Sequence, residues 1–276
     1  MRSILITGCS SGIGWTCAHE LHKGGWEVHA TARKDEDIAR LRDKGIFAHK
    51  LDYAEPETIA STFDAVVETT GGTLDALFNN GAYGQPGAVE DLTTDVLREQ
   101  FEANFFGWHD LTNRVVPIMR KQGHGRIVHC SSILGWIPAP YRGAYNASKY
   151  ALEGLASTMR LELAPTGIHV SLIEPGPIAT RFSENAREKF LANIDWESSA
   201  NHEAYQSEIE RLNRQRKNTL TRFTLPPEAV YRKLDHALNA KRPHAHYGVT
   251  VPTHVMNFAR RVLPQRLVDR IILSGA

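Results

Sequence analysis

Apolar runs of strand length alternate with longer helical patterns over most of the chain, and no other feature narrows its fold as far. "RSILITG" reads as a short buried strand, and Gly12–Gly24 as a helix carrying Cys17, Ala18 and Leu21. "WEVHATA" is a second strand, "DEDIARLRDKG" a capped helix ending at Gly45, and "IFAHKLD" a third strand. A helix from Pro56 to about Thr70 precedes the strand "LDALFNN". Two helical stretches between about Thr93 and Gln122 lead into "GRIVHCSS", and a long helix around Tyr145–Leu163 leads into "IHVSLIEPG". The strands are apolar throughout rather than at alternate positions, which marks strands buried on both faces of a parallel sheet. The pattern predicts an α/β fold: one doubly wound parallel sheet with helices on both faces.

"TGCSSGIG", Thr7–Gly14, lies between the first strand and the first helix. Gly8, Gly12 and Gly14 there make a tight turn, let the backbone approach a pyrophosphate, and aim a helix N-terminus at the anion. Here the chain resembles the short-chain dehydrogenase/reductase family, whose members carry T-G-x-x-x-G-x-G at this place. The match continues in order with Asn79-Asn80-Gly81-Ala82, where the family usually has N-N-A-G. Asn104, Ser132, Tyr145 with Lys149, and Pro175-Gly176 with Thr180 follow. The resemblance is close over about residues 1–180 and is one of general layout beyond. It implies a single Rossmann-type domain that binds a nicotinamide cofactor and performs the chemistry. Ser10, Ser11, Ile13, Asn80, Gly81 and Ile178 join the glycines, Pro175, Gly176 and Thr180 as expected cofactor contacts, with Asp52 near the adenine ring.

Tyr145 and Lys149 stand four residues apart and so share one helix face. A free tyrosine, with a pKa near ~10, transfers protons poorly at neutral pH. A neighbouring ammonium favours the phenolate and lowers that value. Ser132, at a strand's carboxyl end, can donate to a carbonyl oxygen as charge develops there. The resemblance implies that Lys149 also hydrogen-bonds the nicotinamide ribose, and that Asn104 holds a water relaying protons to the lysine. Each of the four side chains has an ordinary structural reading, as an exposed pair, a cap or a solvated helix residue. Their joint occurrence after a dinucleotide turn favours catalysis.

An acid that would bind the cofactor ribose belongs about ~20 residues past the glycine turn, at the end of the second strand. Ala32 stands there, followed by Arg33 and Lys34. Arg33 can meet a 2′-phosphate bidentately, with Ser10 or Ser11 adding hydroxyls, so NADP(H) is expected. Ile133, Leu134, Trp136, Tyr83, Tyr141 and Phe182 suggest an apolar substrate wall, and no arginine or lysine cluster is at hand for a phosphate or carboxylate. The expected substrate is a hydrophobic aldehyde, ketone or alcohol, as in the hydroxysteroid and retinol dehydrogenase-like branch that "TGCSSGIG" and the longer C-terminal region resemble. An NADP(H) sensor without turnover, or a sugar-nucleotide epimerase, are the competing readings. The intact Asn–Ser–Tyr–Lys set argues against the first, and the glycine spacing and lack of a sizeable substrate domain against the second.

A chain of 276 residues with 42% apolar content builds one large domain. A net charge of +1 gives no field to recruit nucleic acid or an anionic membrane. No apolar run is long enough to span a bilayer. Three unevenly spaced cysteines and no apolar leader after Met1 suit the cytoplasm. The thirteen histidines include His19/His22 and His244/His246, but neither pair has a third ligand nearby in sequence, so no metal site is expected. On charge alone the stretch 181–225 reads as solvated surface, but it follows a strand's carboxyl end, which suits a substrate lid. In 254–276, Val255, Ala259, Val262 and Leu263 recur at helical spacing, and Leu267, Ile271 and Ile272 extend the pattern past Pro264. One reading is an amphipathic helix lying on a membrane surface. Because Pro264 breaks the helix and the apolar stretch is short, the expectation is instead a helical element that packs its apolar side on the domain. The helices around 104–122 and 145–163 are, by the resemblance, subunit contacts of a homodimer or homotetramer.

Overall fold

The structure, a computed structural model, describes residues 1–217 and 223–274. All six expected strands form: β1 (Ser3–Ile6), β2 (Glu27–Ala32), β3 (Phe47–Lys50), β4 (Ala76–Asn79), β5 (Gly125–Cys130) and β6 (Ile168–Glu174). A short β7 (His246–Gly248) joins them, and the sheet runs β3-β2-β1-β4-β5-β6-β7 with every pairing parallel. Every residue of β1 and β4 is buried, which is why these segments read as unbroken apolar runs. From β1 the chain winds outward to β3, then returns across β1 to β4 and winds the other way. That reversal opens a crevice at the carboxyl ends of β1 and β4.

Helices cover both faces: α1 (Gly12–Lys23), α2 (Asp35–Arg42), α3 (Pro56–Thr69), α4 (Thr94–Phe101), α5 (Gly107–Gln122), α6 (Gly143–Glu162), α7 (Phe182–Asn193), α8 (His202–Lys217) and α9 (Glu228–Asn239), with α10 (Val251–Val262) and α11 (Gln265–Ser274) last. Thr93 caps α4 by accepting from the Val96 amide. Between α4 and α5 the chain does not break but widens into one π-helical turn, Glu102–Phe106. Helix α6 buries Tyr145, Ser148, Lys149, Leu152 and Ala156, at i, i+3, i+4, i+7 and i+11, which form one inward stripe. The tyrosine–lysine pair therefore lies on the sheet side of its helix. No helix among the described residues is long and apolar enough to cross a membrane.

The charged segment 181–225 is only partly a solvated surface. Phe190 of α7, Ile194 just after it and Tyr205 of α8 make a small second core with Ala88, Leu92 and Tyr141. Its far end is tied back where Ala179 N–H donates to Leu225 O at 2.9 Å and Leu225 N–H to Pro177 O at 3.1 Å. Residues 218–222 of this segment, and 275–276, lie outside the described residues.

The C-terminal expectation needs correction. Helices α10 and α11 form and part at Pro264, but of Val255, Ala259, Val262, Leu263, Leu267, Ile271 and Ile272 only Ala259 is buried. The domain instead receives Thr253, Ala259 and Val268. The small side chains of Thr253 and Ala259 let α10 sit close, and this rotation turns its large apolar residues outward.

Candidate active site

Backbone meets backbone in the crevice. Gly8 has φ +70°, and a Cβ there would lie 2.9 Å from the Gly81 nitrogen. The Thr7 hydroxyl accepts from the amides of Asn80 at 2.9 Å and Gly81 at 3.1 Å, while Asn80 Nδ2 donates to Thr7 O at 3.0 Å. The exchanged order in "NNGA" thus places a glycine against the turn, and Trp108 Nε1 holds it by donating to Gly81 O at 2.8 Å. Gly12, at φ +58°, faces Thr180, whose Cγ2 would stand 2.9 Å from an added Cβ. Gly14 abuts Asn80 in the same way, an added Cβ lying 2.8 Å from its Nδ2. Pro175 accepts from Ile133 N at 2.9 Å, tying the end of β6 to the Ser132 loop, and Ile178 bridges to Leu225.

These features fit a dinucleotide. Ser11, extended before α1, makes no side-chain cap to that helix, so the first-turn N–H groups of Gly12, Ile13 and Gly14 lack a capping side chain and can face an anion. The Tyr83 hydroxyl is buried without a partner in the structure. Arg33 extends into solvent with its side chain 70% exposed, and Asp52 Oδ2 stands 3.8 Å from its guanidinium. Arg40 escaped the sequence reading because it lies a full turn into α2. It donates to Ser10 O, and its guanidinium stands 4.6 Å over the Trp15 ring.

Tyr145 and Lys149 are both buried, at 7% and 1% exposure. Lys149 Nζ donates to Cys130 O at 2.8 Å and stands 4.1 Å over the Trp108 ring, against 5.7 Å to the Tyr145 ring centroid. Burial lowers its pKa to about 8. Burial also raises the Tyr145 phenol above the ordinary tyrosine value; the Cys130 thiol adds to the rise and a hydrogen bond with Ser132 opposes it. This corrects the expectation of a lowered phenol in the protein alone: desolvation acts on both groups, and the ammonium is tied to a carbonyl. Ser132 is extended at the end of β5, its Oγ accepting from Leu134 N at 3.1 Å.

Asn104 sits fully buried in the π-helical turn. Its Oδ1 accepts from Tyr83 N at 3.2 Å, and its Nδ2 donates to Tyr83 O at 2.8 Å and to Ser148 Oγ at 3.4 Å. Ser148 in turn donates to Tyr145 O at 2.8 Å. The widened turn thus locks the post-β4 loop to α6.

On the substrate side, Phe182 at the start of α7 meets Tyr145 edge to face. Lys189 Nζ stands 5.0 Å over the Tyr83 ring, and Asn193 Nδ2 donates to Gln85 Oε1 at 2.8 Å, so α7 rests on the loop that Asn104 secures. Tyr141, at φ +59°, turns toward Tyr205 of the second core. Trp136 lies beneath the Arg260 guanidinium at 5.0 Å, which removes one ring face from the expected apolar wall.

One turn beyond Lys149, Glu153 approaches two residues that sequence distance concealed. His246 Nδ1 stands 2.6 Å from Glu174 Oε1 and 3.7 Å from Glu153 Oε2. Burial, then the Glu174 charge, raises the Glu153 pKa to about 7, and the Glu174 hydrogen bond raises that of His246. The short β7 brings His246 there; three residues of strand give no readable period.

Comparison with known proteins agrees with this fold. The family model described as short chain dehydrogenase matches residues 2–190. The uncharacterized oxidoreductase YbbO of Escherichia coli K12 is 41% identical, over 98% of this chain and 94% of its own. Retinol dehydrogenase 8 of Bos taurus is 32% identical, over 66% of this chain and 60% of its own. A solved variant of actinorhodin polyketide ketoreductase with NADPH superposes with a TM-score of 0.73 at 28% identity, covering 90% of this chain and 95% of its own.

Proposed function

The chain belongs to the short-chain dehydrogenase family, with relatives on its retinol dehydrogenase-like side, and from that premise we propose that it is an NADP(H)-dependent oxidoreductase acting on a hydrophobic carbonyl or alcohol. The observation that carries this reading is the buried Tyr145 phenol hydrogen-bonded to Ser132, on the same inward stripe as Lys149. The glycine turn would hold the pyrophosphate, Arg33 a 2′-phosphate, and Lys149 the nicotinamide ribose. When bound, the nicotinamide supplies or accepts the hydride.

In the reductive direction Ser132 donates to the substrate oxygen as negative charge develops, and Tyr145 gives that oxygen its proton. The phenolate left behind needs a cation nearby, and Lys149 is the one on its helix face. Asn104 holds the Tyr83 loop against α6 and so keeps this arrangement in place. Helix α7, through Phe182, shields the phenol from water and makes the apolar side of the site. Symmetric association through α5 and α6, with Tyr150 and Leu161 exposed on α6 and Phe106 just before α5, suits a homodimer or homotetramer.

The test is Tyr145→Phe, which keeps the ring and removes the acid. Reduction of hydrophobic aldehydes and ketones, followed by NADPH absorbance, is expected to fall at least ~100-fold, typical of a lost general acid. Turnover by Tyr145→Phe equal to the unaltered protein would remove the tyrosine from the reaction. NADPH binding with no oxidation across a broad carbonyl panel would favour a sensor.

A further inference from the structure

Helices α10 and α11 turn an apolar stripe away from the domain. On α10 it comprises Val251, Val255, Phe258 and Val262, all more than half exposed and spaced four, three and four apart, so that they form one line. On α11 it continues through Leu267 and Ile271, at 41% and 42% exposure, one turn apart. The opposite side is fixed. Thr253 and Ala259 are buried, and the Thr250 and Thr253 hydroxyls face each other at 3.0 Å beside Gly176. Arg260 donates to Trp136 O at 3.2 Å, anchoring α10 to the segment after Ser132.

The charge around the stripe is one-sided. Residues 251–274 contain Arg260, Arg261, Arg266 and Arg270 against the single acid Asp269; with Arg260 turned to Trp136, the stripe is flanked by Arg261, Arg266 and Arg270, a net +2 in a chain whose whole net charge is +1. The Asp269 carboxylate accepts from Gln265 at 2.7 Å. We propose that this helix pair is a docking surface for an anionic phospholipid bilayer, with the apolar stripe in the acyl boundary and Arg261, Arg266 and Arg270 at the phosphates.

An amphipathic helix with a basic polar side binds in this way, through buried apolar area and attraction to anionic headgroups. Each arginine near such a surface adds roughly 1 kcal/mol, while a single apolar stripe alone binds weakly. A second copy of the chain fits less well, because a two-fold contact through this face sets one +2 patch against another. The surface also adjoins the candidate active site through Trp136 and Gly176. A lipophilic substrate could then arrive from the bilayer; that consequence rests on the proposed substrate class, whereas vesicle binding does not.

The experiment is flotation of the full chain with vesicles of phosphatidylcholine alone and of phosphatidylcholine mixed with phosphatidylglycerol. The unaltered protein is expected to float with the mixed vesicles, at least ~10-fold more than with the neutral ones, and to be released by salt. A Phe258→Asp/Val262→Asp double variant should lose that binding while keeping its Tm and its NADPH turnover on a water-soluble aldehyde. Failure of the unaltered protein to float with anionic vesicles overturns the proposal. So does a dimer by light scattering that the double variant converts to monomer, which would assign the face to a second copy. If the double variant does not fold, Arg266→Glu/Arg270→Glu on the exposed side of α11 replaces it, and undiminished flotation there counts against the proposal. Carbonyl turnover, measured separately in solution, can fail without touching this result.

Discussion

The ring of Phe182 meets that of Tyr145 edge to face, with 5.4 Å between centroids. An added Cβ on Gly84 would lie 3.0 Å from Phe182 and 3.6 Å from Tyr145, so the three residues close one corner of the site. The first residue of α7 therefore touches the proposed acid directly, and the segment that looked like solvated surface acts through it. Phe182→Ala should raise KM for apolar carbonyls roughly 5-fold, since truncating a phenyl that is 37% exposed forfeits about 1 kcal/mol. Small polar aldehydes should be affected less. Steady-state kinetics on a paired set of substrates decides it, and an equal loss on both sets would mean Phe182 shapes the fold rather than the substrate site.

Lys149 gives a pH signature. Burial lowers its pKa to about 8, so the ammonium that steadies the phenolate is lost as pH rises through that value. In the reductive direction kcat/KM for NADPH, which reports groups of the free protein, should be level at neutral pH and fall above about 8. Lys149→Met should be slow throughout and lack this falling limb. A profile of the unaltered protein that stays level to pH 10 would separate the lysine from the proton step.

Much of this was legible in sequence, and the reasons are physical. The turn at Gly8 and Gly12 needs positive φ, and only certain residue types supply it; Tyr145 and Lys149 stand four apart because a helix turn is that long. Other features leave no periodic trace. Asn104 occupies a π-helical turn, which no 3.6-residue pattern announces, and His246 reaches Glu174 only because β7 pairs beside β6. Periodicity grouped Val255 with Val262 correctly on one face of α10. It could not say which way that face points, because the answer lies in how Thr253 and Ala259 fit the domain.

Cofactor choice tests the reading of Arg33. Its guanidinium is exposed and 3.8 Å from Asp52 Oδ2, an interaction that solvent weakens. NADPH should therefore have the higher kcat/KM, and Arg33→Asp should narrow or reverse the preference by about 10-fold or more, the loss of one charge-assisted contact. Equal use of NADH and NADPH by the unaltered protein would show that Arg33 does not meet the phosphate. Arg40→Ala, which frees Ser10 O, should weaken both cofactors together.

Stability should carry the mark of Glu153. Its folded pKa, about 7, lies above the ordinary carboxylate value because it is buried near the Glu174 charge, and His246 is also raised, first by its hydrogen bond to Glu174. Both groups hold protons more tightly in the folded chain than in the unfolded one. Their contribution is thus fully present below the ordinary carboxylate value and declines as pH rises through about 7. Glu153 is well shielded and dominates, whereas solvent screens the share of the half-exposed His246. Linkage of this size is worth about 1–3 kcal/mol between acid and mildly alkaline conditions. Glu153→Gln keeps the shape and removes the titration, so its Tm should change less than that of the unaltered protein between pH 5 and 8, with the two curves converging toward the acid side. Parallel Tm curves would mean that the Glu153 carboxyl takes up no proton on folding.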